Sequence, residues 1–128
     1  TDVVIIACGI LVYNALLAAE ELANDEKIEC SVINSHTIKP LDANTIIESA
    51  KKCGAVVSVE EHQVNGGLGS AVAECLAKNH PVPQEFIGVQ DRFGESGDPD
   101  ELVEALGMGV KDIKDAVRRV FKRKDYRV

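Results

Sequence analysis

Tryptophan is absent from this sequence and methionine occurs once. Two tyrosines and three phenylalanines bring aromatic content to only 4%. A core must therefore be filled by Val, Ile, Leu and Ala, whose close packing has to replace large rings. No apolar run approaches the roughly 18 residues of a membrane-spanning helix. No basic flank followed by a short apolar segment and a cleavage site marks a secretory signal. A cytoplasmic chain without membrane contact is expected. Positive charge is scarce as well: 14 Lys and Arg stand against 21 Asp and Glu, for a net charge of −7. Nucleic-acid binding needs a basic face that displaces counterions, so nucleic acid is not an expected partner. The one basic run (Arg118, Arg119, Lys122, Arg123, Lys124, Arg127) lies where cations suit a helix end and a solvated tail. Cys8, Cys30, Cys53 and Cys75 form no C-x-x-C pair and have no His at ligand spacing. They read as reduced, packed thiols rather than disulfides or a zinc site. Nucleophile elbow, redox dithiol and metal-ligand set are all missing, which ranks hydrolase or redox chemistry a distant third.

What is present fits one domain. At 128 residues, with 45% hydrophobic and 27% charged residues, the chain can bury a single layered core. Residues 2–8 form a continuous apolar run, as expected of a strand covered on both faces. Gly9 punctuates it, and residues 12–25 follow as an amphipathic helix with Val12, Leu16, Ala19 and Ala23 on one side and Leu11, Ala15 and Leu22 close by. A less buried strand is expected over 27–34. Asp42 is placed to cap a helix over 43–53 that Gly54 closes. A third strand (55–61) leads to a helix over 67–79, and a short fourth strand spans 84–90. Asp98-Pro99 marks the start of a short helix ending at Leu106. The last helix, 110–122, carries Val110, Ile113, Val117, Val120 and Phe121 as its apolar stripe. Strand–helix alternation implies parallel pairing and a three-layer α/β/α sandwich. No internal repeat or low-complexity segment interrupts it.

The stretch 55–76 organises the rest. An apolar strand turns acidic at Glu60-Glu61-His62 and crosses Asn65-Gly66-Gly67-Leu68-Gly69-Ser70 into a helix. Polar side chains and helix N–H groups thus gather at the carboxyl end of a strand, where ligands collect in open α/β sheets. Two accounts compete. His62 could work as an acid/base or anion-contacting group, its pKa raised by Glu60 or Glu61, with Gly66, Gly67, Gly69 and Ser70 cradling a phosphate. Alternatively His62 is a loop residue with a carboxylate or dimer-mate partner, and the glycines permit positive φ and close helix–sheet packing. His36 and Lys39 could face a partner domain. Asp91, Arg92, Glu95, Ser96 and Asp98 read as an internally paired turn, since their spacing is not that of an EF-hand.

Several of these runs together resemble the C-terminal domain of transketolase and its thiamine-diphosphate relatives. They are Asp2-Val-Val-Ile-Ile-Ala-Cys-Gly9, Thr37-Ile-Lys-Pro-Leu-Asp42, Val59-Glu-Glu-His62 with Gly66-Gly-Leu-Gly-Ser70, and Gly94-Glu-Ser-Gly97 with Glu101-Leu102 and Leu106-Gly107. They occur in order over nearly the whole chain and lean toward transketolase itself. Deoxyxylulose-phosphate synthase and the β-subunits of 2-oxoacid dehydrogenases fit less well. A freestanding flavodoxin-like module binding a phosphate-bearing ligand is the alternative outside the family.

The resemblance implies a non-catalytic, dimer-supporting domain of an enzyme that moves two-carbon ketol units between sugar phosphates. Thiamine diphosphate and Mg²⁺ would be held by two other domains across a homodimer interface, and no catalytic, cofactor or metal residue is expected here. It also implies a strand order 2-1-3-4 and the absence of an antiparallel strand preceding Val3. The chain is therefore expected to be a fragment of its domain, or the ordered part of one, with 27–34 as an uncovered sheet edge.

Overall fold

The computed structural model describes residues 1–35, 42–63, 67–89 and 107–124. Four strands form one parallel sheet: β1 (Val3–Ala7), β2 (Cys30–Asn34), β3 (Val56–Gln63) and β4 (Gln84–Val89), in the order β2-β1-β3-β4. This is the expected three-layer α/β/α sandwich. The five side chains of β1 are fully buried, as a strand covered on both faces requires. Alternation divides them. Val3, Ile5 and Ala7 face one apolar cluster with α1 (Leu11–Glu26) and α4 (Val110–Lys124). Val4 and Ile6 face a second with α2 (Ala43–Cys53) and α3 (Leu68–Asn79). Among the described residues no helix is long and apolar enough to cross a membrane.

Helix boundaries follow local chemistry. Asp42 caps α2 by accepting from the Thr45 backbone N–H at 3.2 Å and from its hydroxyl at 2.8 Å. Gly54 closes α2 in the left-handed region at φ 78°. The expected strand over 27–34 starts three residues late because α1 runs on to Glu26. Lys27 then adopts φ 58°, and the N–H groups of Lys27 and Ile28 both go to the Leu22 carbonyl. A left-handed conformation costs a residue with a Cβ about 1–2 kcal/mol relative to glycine. Lys27→Gly is therefore expected to raise stability by about 1 kcal/mol in a urea titration, and a loss instead would mean the lysine side chain holds the cap.

Two expectations are corrected by packing. On α1 the buried stripe is Leu11, Ala15, Ala18 and Leu22, whereas Leu16 is 55% exposed. Both stripes have helical spacing, and only the position of the sheet distinguishes them. The basic run of α4 is not merely solvated. Arg118 meets Glu26, Arg119 and Arg123 converge on Glu85, and Lys124 donates to the Asp2 carbonyl, while Lys114, ahead of the run, meets Glu21 and Arg127 lies outside the described residues. These cations tie α4 to α1, to β4 and to the entry of β1. The Arg118 guanidinium holds the Glu26 carboxyl below its ordinary pKa. The segments 91–98 and 98–106, and the helix start at Asp98-Pro99, lie outside the described residues.

Candidate functional site at the switch point of the sheet

The chain passes from β1 to β2 on one side and then crosses back to place β3 on the other, so the crevice between the carboxyl ends of β1 and β3 is the topological switch point. Cys8-Gly9 and Glu60-Glu61 flank it. Pairing of β3 with β4 shifts between Val59 and Gln63, so the two glutamates emerge where the ladder is irregular.

Strand alternation sends the two carboxylates to opposite faces. Glu60 shares parity with Val56 and Ser58 and turns toward α3, where it is 1% exposed. Its Oε1 accepts from the Leu68 N–H at 2.7 Å and its Oε2 from the Gly69 N–H at 2.6 Å. A buried carboxylate thus sits on the positive end of α3 and satisfies two N–H groups that have no partner within the helix. Gly69 permits the approach. A Cβ there would come within 2.7 Å of the Phe86 ring, 2.8 Å of Ser58 Oγ and 3.2 Å of Glu60 Oε2. The Gln84 amide braces the contact by donating to Ser58 Oγ and to the Gly69 carbonyl.

Glu61 shares parity with Val57 and Val59, lies exposed, and reaches the other helix layer. Its Oε1 accepts from the Ile10 N–H at 3.2 Å, just ahead of α1. Gly9, at φ 67°, makes room: a Cβ there would stand 2.7 Å from the same oxygen. One dipeptide therefore fastens the start of a helix on each face of the sheet.

Of the residues singled out from sequence, Glu60, Glu61, Gly67, Gly69 and Ser70 fall in the described segments. Gly67 precedes α3 in extended conformation, and Ser70 lies half-buried in its first turn. The backbone of His62 belongs to β3. Its side chain, Gly66, Asn65, His36 and Lys39 lie outside the described residues. The helix-fastening role of the glutamates was not recognised from sequence. Two signals pointed to it: opposite parity on one strand, and a glycine at the start of each helix that receives a carboxylate.

Among the described residues no three His, Cys, Asp or Glu side chains are grouped to hold a metal, and no buried side-chain N or O lacks a partner. An apolar recess of about 260 Å³ lined by Leu76, Val82, Phe86 and Arg123 sits near the amino end of β4, away from the switch point. Burial, then Glu60 and Glu61, push the Cys8 thiol above its ordinary pKa. Burial lifts Cys53 too, and pushes Cys30 up to about 12. Thiolate is the reactive form. At pH 7.5 these three thiols are expected to alkylate at least about tenfold more slowly than in urea-unfolded chain. Rapid labelling of Cys30 in the folded state would contradict the burial.

The fold and site define a doubly wound α/β domain in which the leading N–H groups of the switch-point helix are held by the protein's own carboxylate. Residues 1–113 match the family described as "Transketolase, C-terminal domain", and the chain belongs to it. It is 52% identical over 126 residues to the 6-deoxy-6-sulfo-D-fructose transketolase subunit SqwH of Clostridium sp. (strain MSTE9), covering 98% of this chain and 39% of that protein. It is 42% identical over 124 residues to 1-deoxy-D-xylulose-5-phosphate synthase of Trichormus variabilis, covering 96% of this chain and 19% of that one. A solved structure titled "Split gene transketolase, inactive beta4 tetramer" superposes with a TM-score of 0.92 at 45% identity, covering 96% of this chain and 40% of its own. The chain thus spans about two fifths of these transketolase relatives and a fifth of the synthase.

Proposed function

We propose that this chain is the C-terminal domain of a transketolase subunit of the split kind. In this reading a larger subunit contains the domain, and other polypeptide completes an enzyme that transfers ketol units between sugar phosphates. The observation that carries it is 52% identity, over 98% of the chain, to a protein described as a transketolase subunit. The 45% identical structure described as a split-gene transketolase supports the same assignment. That structure, an inactive beta4 tetramer, agrees with a chain that needs a different partner.

The domain's contribution is architectural. Thiamine diphosphate does not fit the described residues of the switch point. Glu60 already holds the two N–H groups that would receive a phosphate, and it places negative charge where a diphosphate would lie. Side chains fill the space at Gly69 through which its backbone would be approached. The cofactor and Mg²⁺ are assigned to the remainder of the assembly, in which a homodimeric arrangement is part of the proposal. A freestanding phosphate-binding module would need the N–H groups that Glu60 occupies.

The test is ketol transfer with thiamine diphosphate and Mg²⁺, for this chain alone and after its exchange for the matching segment of the Clostridium subunit, assayed together with the polypeptide that completes that subunit's enzyme. Silence alone and activity after exchange is the expected result. Activity of the isolated chain, or formation of deoxyxylulose phosphate from pyruvate and glyceraldehyde phosphate by the assembly, would overturn it.

A further inference from the structure

Resting on the reading above, we infer that Ile10, Tyr13 and Leu16 form the docking surface for the part of the subunit that precedes this domain. Among the described residues these are the large apolar side chains left exposed, at 62%, 62% and 55%. They lie opposite the buried stripe of α1, where a globular helix carries polar residues. Together they leave on the order of 300 Å² of apolar surface, the size of the largest patch on a typical monomer, which is often functional. The rim is polar: Asn14 and Glu20 flank the patch on α1, and the exposed Glu61 carboxylate stands behind Ile10.

Area selects the occupant. A stable interface between separate molecules buries about 800 Å² per partner, which this patch does not approach. On its own it supplies less than half of the surface that two free copies of the chain would need to bury. A covalently linked domain needs far less, because tethering supplies a high effective concentration. Such an occupant has ample length to draw on, since this family is defined as a C-terminal domain and the chain covers only 39% and 40% of the two related subunits. The patch is also held ready. Glu61 fixes the Ile10 N–H, so the first turn of α1 has little freedom to lose on docking. With carboxylates on its rim, the docking face of the preceding domain is expected to present an apolar knob edged by Lys or Arg.

Hydroxyl-radical footprinting, which reads side-chain exposure, tests this directly. The isolated 128-residue chain would be compared with the chimera in which it replaces the matching segment of the Clostridium subunit. Labelling of Ile10, Tyr13 and Leu16 is expected to fall about fivefold or more in the chimera and to be independent of concentration in the isolated chain. Unchanged labelling in an assembled chimera overturns the proposal. So does labelling of the isolated chain that falls with concentration, which would make a second copy the occupant. Should the chimera not assemble, the preceding segment of that relative, produced separately, is titrated against the chain and against its Tyr13→Ser/Leu16→Ser variant. Loss of binding in the variant, with its melting temperature unchanged, supports the surface, and equal binding overturns it. Protection without ketol transfer would leave the surface standing and sink the functional reading. Ketol transfer without protection would do the reverse.

Discussion

Glu60→Ala lowers the unfolding free energy by about 3–4 kcal/mol, measured as a shift of the urea midpoint at constant slope. Two hydrogen bonds of 2.6 and 2.7 Å to a buried carboxylate are lost, and the Leu68 and Gly69 N–H groups are left without an acceptor at the start of α3. Hydrogen bonds to charged groups contribute about 1.5–3 kcal/mol each. Relief of the carboxylate's own desolvation offsets part of that sum. Glu60→Gln preserves shape and keeps one acceptor, but turns an amide N–H₂ toward the second backbone donor, so it costs about 2 kcal/mol. Against a total stability of about 5–15 kcal/mol, either change is large. Amide exchange at Leu68 and Gly69 should quicken in both variants more than at β1. If both cost less than about 0.5 kcal/mol, the carboxylate does not hold α3, and the switch-point helix is open to a ligand after all.

Gly69→Ala is destabilising by about 2–3 kcal/mol despite alanine's better helix propensity. Propensity alone favours alanine by about 1 kcal/mol inside a helix. The new methyl would meet Phe86, Ser58 and Glu60 at 2.7, 2.8 and 3.2 Å. Retreat is blocked on more than one side, because the Ser58 hydroxyl is held by Gln84 and Glu60 by the helix itself. Phe86→Leu in the same chain should recover part of the loss, since the two sites share one contact and their effects will not add. A stabilising Gly69→Ala would show that α3 can slide outward, and would remove close packing as the reason for glycine here.

Much of the architecture was legible from residue order. The apolar run of β1, the Asp42 cap, the Gly54 stop and the alternation of strand and helix patterns each have a local physical cause, and each stands in the structure. Periodicity in α1 was less informative. Its small and apolar residues cover more than half the helix, so two stripes competed and the expected one, with Leu16, proved to be on the outside. The start of β2 was misplaced because a lysine in left-handed conformation is not a signal that residue type announces.

The site shows the same division. Sequence by itself placed Glu60, Glu61 and the glycine-rich turn together at the carboxyl end of a strand, because strand, tip and helix follow one another within 22 residues. It also determined that the core is aliphatic and that the surface is acidic. What those carboxylates touch was decided by tertiary structure alone. Glu61 meets an N–H 51 residues away, and Glu85 meets arginines 34 and 38 residues on, at positions that no local period relates. Only the folded sheet brings the α1 start beside the end of β3, and only there does strand alternation become a choice between two helices. A carboxylate near a glycine-rich turn reads equally well as acid, base or anchor in one dimension. In three dimensions the distance to a helix N–H distinguishes them.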